Sequence, residues 1–176
     1  MPTGNKSRIS NNNICLTGFM GTGKTAVALE LAKITGRRII DVDSEIEKTA
    51  GMTINDIFAS MGEPRFREIE TEEIKKAAAQ NRVIISTGGG AVLKNENMEL
   101  LRERGMVVCL RAGANAIFER IRHSAERPLL KVDDPLAKIK DLLAIREPFY
   151  RNCDLMINTE GKTPATVARE ILEEIS

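Results

Sequence analysis

The chain has 176 residues, with 26 Lys and Arg against 25 Asp and Glu, a net charge of +1. That length suits one domain with a real core, and the charge balance argues against broad non-specific nucleic-acid binding while leaving room for one small basic site for a phosphorylated ligand. Trp is absent and aromatics make up 3%, so stacking platforms for bases are not expected, and no apolar run approaches the roughly 18 residues that span a bilayer.

The start, Met1 to Asn13, is polar and lacks the apolar middle of a secretory signal. Residues 1–12 read as a disordered or expression-derived tail, and 13–176 as a single domain. Strand-like apolar runs at about 13–17, 38–42, 82–86, 106–111 and 154–158 alternate with helical stretches. The helices are expected at about 24–34, 44–50, 54–61, 64–80, 96–104, 113–122, 135–147 and 164–175. That alternation is the pattern of an α/β fold, a parallel sheet covered by helices. Gly36, Gly51, Gly62 and Gly105 fall where helices should stop. Pro64, Pro135 and Pro164 sit at first helical positions, the last two after Asp134 and Thr163 as caps. The three cysteines, Cys15, Cys109 and Cys153, have no metal spacing. Cys15 and Cys109 lie in expected strands, where a buried free thiol is the default, and a reducing, cytoplasmic setting fits them.

Between the first strand and the first helix stands Gly18-Phe19-Met20-Gly21-Thr22-Gly23-Lys24-Thr25, which fits the P-loop pattern G-x-x-x-x-G-K-[ST]. Its glycines let successive N–H groups converge at a helix N-terminus, an anion site. Lys24 then reaches phosphate oxygens and the Thr25 hydroxyl suits Mg²⁺. Next comes Asp41-Val42-Asp43 at the end of the second strand. If both are extended, the two carboxylates point the same way, toward the sheet edge where ligands bind. Asp43 capping a helix that begins at Ser44, with Asp41 solvated, is the competing reading. Arg67 lies one position off the apolar stripe of Phe66, Ile69, Ile74 and Ala77, in a first helical turn where a cation opposes the dipole. Either an anionic ligand explains it, or an exposed pair with Glu70 does. Gly88-Gly89-Gly90 after Val83-Ile84-Ile85 calls for close backbone approach, or is a bare turn. The charged stretch at about 122–134 has no periodicity and reads as a mobile lid. Arg120, Arg122 and Arg127 flank it, and Arg146 ends a helix; arginines suit carboxylate and phosphoryl recognition, although each one alone also fits a solvated surface.

These pieces resemble shikimate kinases, small P-loop kinases of the nucleoside monophosphate kinase type. The resemblance is carried by Gly18–Thr25, Asp41-x-Asp43-x-x-Ile46-Glu47, Gly62-Glu63-x-x-Phe66-Arg67-x-x-Glu70, Gly88-Gly89-Gly90, Arg127-Pro128-Leu129-Leu130 and Arg146-x-Pro148-x-Tyr150, across about residues 13–172. It implies a three-layer P-loop kinase fold: a five-stranded parallel sheet in the order 2-3-1-4-5 flanked by helices, an acceptor-binding helical region at about 44–80, and a mobile lid. It implies ATP- and Mg²⁺-dependent phosphorylation of the 3-hydroxyl of shikimate, a step toward chorismate and the aromatic amino acids. Gly21, Thr22, Gly23, Lys24, Thr25 and Ala26 would hold the nucleotide, with Arg120 against adenine and Arg127 reaching the phosphates. Thr25 and Asp41 would hold one Mg²⁺ per subunit. Asp43 would orient the attacking hydroxyl, with no need of a raised pKa, beside Lys24 and Arg127 as catalytic groups. Arg67 and Arg146 would clamp the shikimate carboxylate, and Gly88, Gly89 and Gly90 would offer backbone to the ring. A cytoplasmic monomer, with neither nucleic acid nor membrane as partner, is expected. A gluconate kinase is the nearest rival, an adenylate-kinase-like enzyme is a further one, and a nucleotide-dependent switch is the rival from another class.

Overall fold

The computed structural model describes residues 12–123 and 132–176. Residues 1–11 of the expected tail, and most of the expected lid with Arg127, lie outside the described residues. In chain order the elements are β1 (Asn13–Thr17), α1 (Lys24–Thr35), β2 (Ile39–Asp41), α2 (Val42–Ala50), α3 (Ile54–Ala78), β3 (Ile84–Ser86), a 3₁₀ turn (Ala91–Leu93), α4 (Asn95–Arg104), β4 (Gly105–Arg111), α5 (Ala114–Ile121), α6 (Pro135–Tyr150), β5 (Leu155–Asn158) and α7 (Pro164–Ile175). The strands are parallel in the order β2-β3-β1-β4-β5, as expected.

The strands are mostly apolar, with polar residues confined to their ends, because both faces of the sheet are covered. Alternate residues enter opposite cores. Ile14, Leu16, Ile84, Val108 and Leu110 pack with Val27 and Leu31 of α1 and Val167 and Ile171 of α7. Cys15, Ile85, Val107 and Cys109 pack on the other face with Ile69 and Ile74 of α3, Met98 and Leu101 of α4, and Ile117 of α5. Cys15 and Cys109 are buried free thiols.

The helix boundaries follow local chemistry. Asp134 and Thr163 cap α6 and α7 by accepting from Ala137 N and Thr166 N, with Pro135 and Pro164 next in line. Gly36 and Gly51 end α1 and α2 in the left-handed region. The helices expected at 54–61 and 64–80 are two helical stretches within α3, separated where Gly62 takes the non-helical φ 80 and ψ 167, with Pro64 at the start of the second. α4 stops before Gly105, which opens β4 with extended backbone. One boundary moves: α6, expected to end at 147, runs on to Tyr150.

Candidate active site

The P-loop joins the C-terminal end of β1 to α1. Gly18, Gly21 and Gly23 take φ of 137, 77 and 97, a backbone that only glycine adopts without strain. The curl is held from inside: the Thr22 amide and hydroxyl both donate to the Phe19 carbonyl, at 3.3 and 2.7 Å. Lys24 Nζ folds over the loop and donates to the carbonyls of Gly18 and Phe19, at 2.7 and 3.0 Å. Thr22 therefore shapes the loop, and the ammonium of Lys24 lies over its carbonyls.

The loops after β1, β2 and β3 meet because parallel strands finish at one edge. A cleft of about 360 Å³ is lined by Met20, Gly21, Gly23, Lys24, Thr25, Ala26, Asp41, Asp43, Ser86, Thr87, Gly88, Gly89, Arg120 and Ile121. A larger cleft of about 580 Å³ lies at the opposite edge, against Asn13, Arg102 and Gly105, and holds none of the motifs.

Asp41 and Asp43 do not both extend from a strand. Asp41 ends β2 and caps α2, its Oδ1 accepting from Ser44 N at 3.0 Å. Asp43 already stands in the first turn of α2. The backbone coils at Val42, whose side chain is fully buried, so Asp43 is rotated by a helical rather than a strand period. Both carboxylates still line the same cleft. The Asp43 carboxyl is pushed up from the usual carboxylate range by burial and by the Asp41 charge, while Lys24 and Arg67 hold it back. A raised value was not called for by the sequence reading; it follows from how deeply α2 seats the residue.

The three glycines each approach something. A Cβ on Gly88 would lie 2.8 Å from Asp43 Oδ1. One on Gly89 would lie 3.3 Å from the Met20 amide nitrogen. One on Gly90 would strike the Arg67 guanidinium. The loop is thus pressed between the P-loop backbone, the aspartate and the arginine, and is no bare turn.

Arg67 pairs with Glu63 at 3.2 Å and with Glu70 at 2.8 Å, and its guanidinium lies 5.0 Å from the Phe66 ring. The pair with Glu70 is real, but it is not an exposed helix pair: Glu70 is 1% exposed. Its Oε1 has no hydrogen-bond partner among the described residues, and burial pushes its carboxyl up against the opposing pull of Arg67. A buried, half-satisfied carboxylate beside a cation is the mark of a site that expects a further donor. Arg146 stacks 5.7 Å from the Phe19 ring. One turn on, Tyr150 donates its hydroxyl to the Gly89 carbonyl at 2.7 Å. Burial pushes the Tyr150 phenol up to about 12, against the charges of Arg146 and Arg67, which both act on this one hydroxyl.

Arg120 bridges the P-loop to the segment after β5. Its Nη1 donates to the Gly21 carbonyl at 3.1 Å and to Thr159 Oγ1 at 3.0 Å, and its Nη2 to the Thr159 carbonyl at 3.0 Å. A shallow cleft of about 220 Å³ beside it is lined by Thr22, Gly23, Ala26, Arg120, Thr159, Lys162 and Pro164, among others. Two residues of this region were missed from sequence: Glu70, read as an exposed partner, and Tyr150, noted in a motif without a role although it is the sole tyrosine.

The donor set fits Mg²⁺. Thr25 is exposed in the cleft and Asp41 keeps one oxygen outside its capping bond. Magnesium is commonly held by one or two protein groups, with water and substrate phosphates completing the shell.

The family model for shikimate kinase matches residues 20–176. Shikimate kinase of Thermodesulfovibrio yellowstonii is 51% identical over 92% of this chain and 94% of that protein. That of Caldicellulosiruptor bescii is 48% identical over 91% of this chain and 93% of that protein. The structure of shikimate kinase from Acinetobacter baumannii in complex with shikimate is similar at a TM-score of 0.90 and 38% identity, covering 97% of this chain and 96% of that one.

Proposed function

The chain belongs to the shikimate kinase family and is a kinase that phosphorylates shikimate in aromatic amino acid biosynthesis, with ATP as co-substrate, and we propose how its residues share the transfer of the γ-phosphoryl group to the 3-hydroxyl. The observation that carries the reading is the glycine loop, whose three residues touch Asp43, the P-loop backbone and Arg67 in turn. One cleft thereby joins a phosphate cradle to a pocket suited to a hydroxylated acid.

The P-loop amides and Lys24 hold the phosphates, and Arg120 with Pro164 walls the base. Thr25 and Asp41 would hold one Mg²⁺, Asp41 directly or through water; bound there, it would neutralise charge on the phosphate oxygens. Phosphoryl transfer asks mainly for positioning and charge stabilisation. Asp43 accepts a hydrogen bond from the attacking hydroxyl and aligns it, and its raised affinity for a proton suits it to take that proton as the bond forms. Arg67 and Arg146 clamp the carboxylate, Arg67 held in register by Glu70. Arg127 is assigned a place over the phosphates by the family motif alone. We read the enzyme as a cytoplasmic monomer.

The test is ADP release from Mg·ATP by the purified protein with shikimate, with gluconate, with AMP and with no acceptor. Turnover with shikimate alone is expected. Turnover with another acceptor would keep the nucleotide site and overturn the acceptor pocket.

A further inference from the structure

Behind the glycine loop lies a buried polar network that the reaction leaves without a task. Asn97 of α4 is 0% exposed. Its Nδ2 donates to the Ala91 carbonyl at 3.0 Å, and its Oδ1 is 2.8 Å from the Thr71 hydroxyl. That hydroxyl is also 3.0 Å from the Arg67 carbonyl oxygen and accepts from Lys94 Nζ at 3.0 Å. A hydroxyl carries one hydrogen, so Thr71 donates to one of its two oxygens at a time. Ala91 follows Gly90, which lies so near the Arg67 guanidinium that no Cβ fits between them. The contacts close a ring: Arg67 backbone, Thr71, Asn97, Ala91, Gly90, and back to the Arg67 side chain. Adhesion between α3 and α4 does not call for an amide and a hydroxyl here, because Ile74, Met98 and Leu101 already supply an apolar seam. A satisfied buried network selects one geometry where an apolar contact tolerates several.

We propose that Asn97 and Thr71 are positioning residues for the acceptor: they set the spacing between the Arg67 guanidinium and the Gly88–Gly90 loop, and so the width of the slot that takes the acceptor carboxylate. This rests on the reading of Arg67 as a carboxylate ligand.

The test compares Thr71→Val, which keeps the shape and removes the hydroxyl, with Thr71→Ser, which keeps the hydroxyl, in the full chain. Loss of one buried hydrogen bond should raise the KM for shikimate about tenfold in Thr71→Val, leaving the KM for ATP and kcat within about twofold. Thr71→Ser should stay near wild type. Asn97→Leu should match Thr71→Val, and the double variant should be no worse than the worse single one, since the two act as a unit. Thermal midpoints on the same samples separate position from stability. A lowered midpoint with an unchanged KM for shikimate overturns the proposal, and so does an equal rise in both KM values. Arg67→Ala is the control. If it leaves the KM for shikimate unchanged, the pocket reading fails and the proposal falls with it. If it raises that KM and Thr71→Val does not, the network proposal alone fails.

Discussion

Tyr150 and Gly89, 61 residues apart, are joined by a hydrogen bond of 2.7 Å from the phenol to the carbonyl oxygen. The bond ties α6, which carries Arg146, to the loop that touches the phosphate cradle. Tyr150→Phe keeps the buried ring and leaves that carbonyl unpaired, at a cost of about 1–3 kcal/mol. The expected outcome is a several-fold rise in the KM for shikimate and a lowered thermal midpoint. A variant with wild-type KM for both substrates would show that the loop holds its place without the phenol.

Arg67→Ala should raise the KM for shikimate by about 10- to 150-fold, the worth of a hydrogen-bonded charge pair of about 1.5–3 kcal/mol, with the KM for ATP little changed. It should also lower stability, because Glu70, 1% exposed, loses its partner cation. Steady-state kinetics with each substrate varied, and a melt of the same sample, check both halves. Equal losses for the two substrates would count against the carboxylate clamp.

Gly90→Ala places a methyl group against the far end of the Arg67 side chain. A guanidinium can swing aside where a backbone could not, so the fold should survive and the acceptor site should not. The expected result is a thermal midpoint within a few degrees of wild type and a clear rise in the KM for shikimate. Gly88→Ala meets Asp43 Oδ1 at 2.8 Å and should lower kcat as well, because it displaces the group proposed to align the hydroxyl.

Asp43→Asn should abolish transfer, by about 100-fold or more, and leave nucleotide binding intact. It should also stabilise the protein at neutral pH. The folded-state pKa of Asp43 is raised, chiefly by burial, so the native state binds the proton more tightly than the unfolded one does. Stability therefore falls as pH rises from the ordinary carboxylate range through the raised value. Asn mimics the protonated form, so its advantage should be present at neutral pH and shrink on acidification. Melting curves of the two proteins across pH test the sign. The acid limb of kcat/KM for shikimate should likewise lie above the ordinary carboxylate range.

Much of this was legible in the chain because the signals are local. The P-loop is one run of eight residues, and Asp134-Pro135 and Thr163-Pro164 announce two helix starts by themselves. The alternation of apolar runs with helices is enough for the parallel sheet; its strand order came only from the family resemblance that the motifs carry. What depends on distant partners was misread. Asp43 was read as extended beside Asp41 or as the cap of a helix from Ser44, because nothing local shows that Val42 turns inward, starts the helix and leaves the cap to Asp41. Glu70 was read as exposed because its helical neighbours are charged, and only the packing of α3 behind the glycine loop buries it. Local pattern determined which elements form and where the P-loop lies. The meeting of Gly88 with Asp43, Gly90 with Arg67 and Gly89 with Tyr150 was decided by the tertiary fold. Setting β3 between β2 and β1 brings three loops to one edge, and no spacing along the chain encodes that closeness.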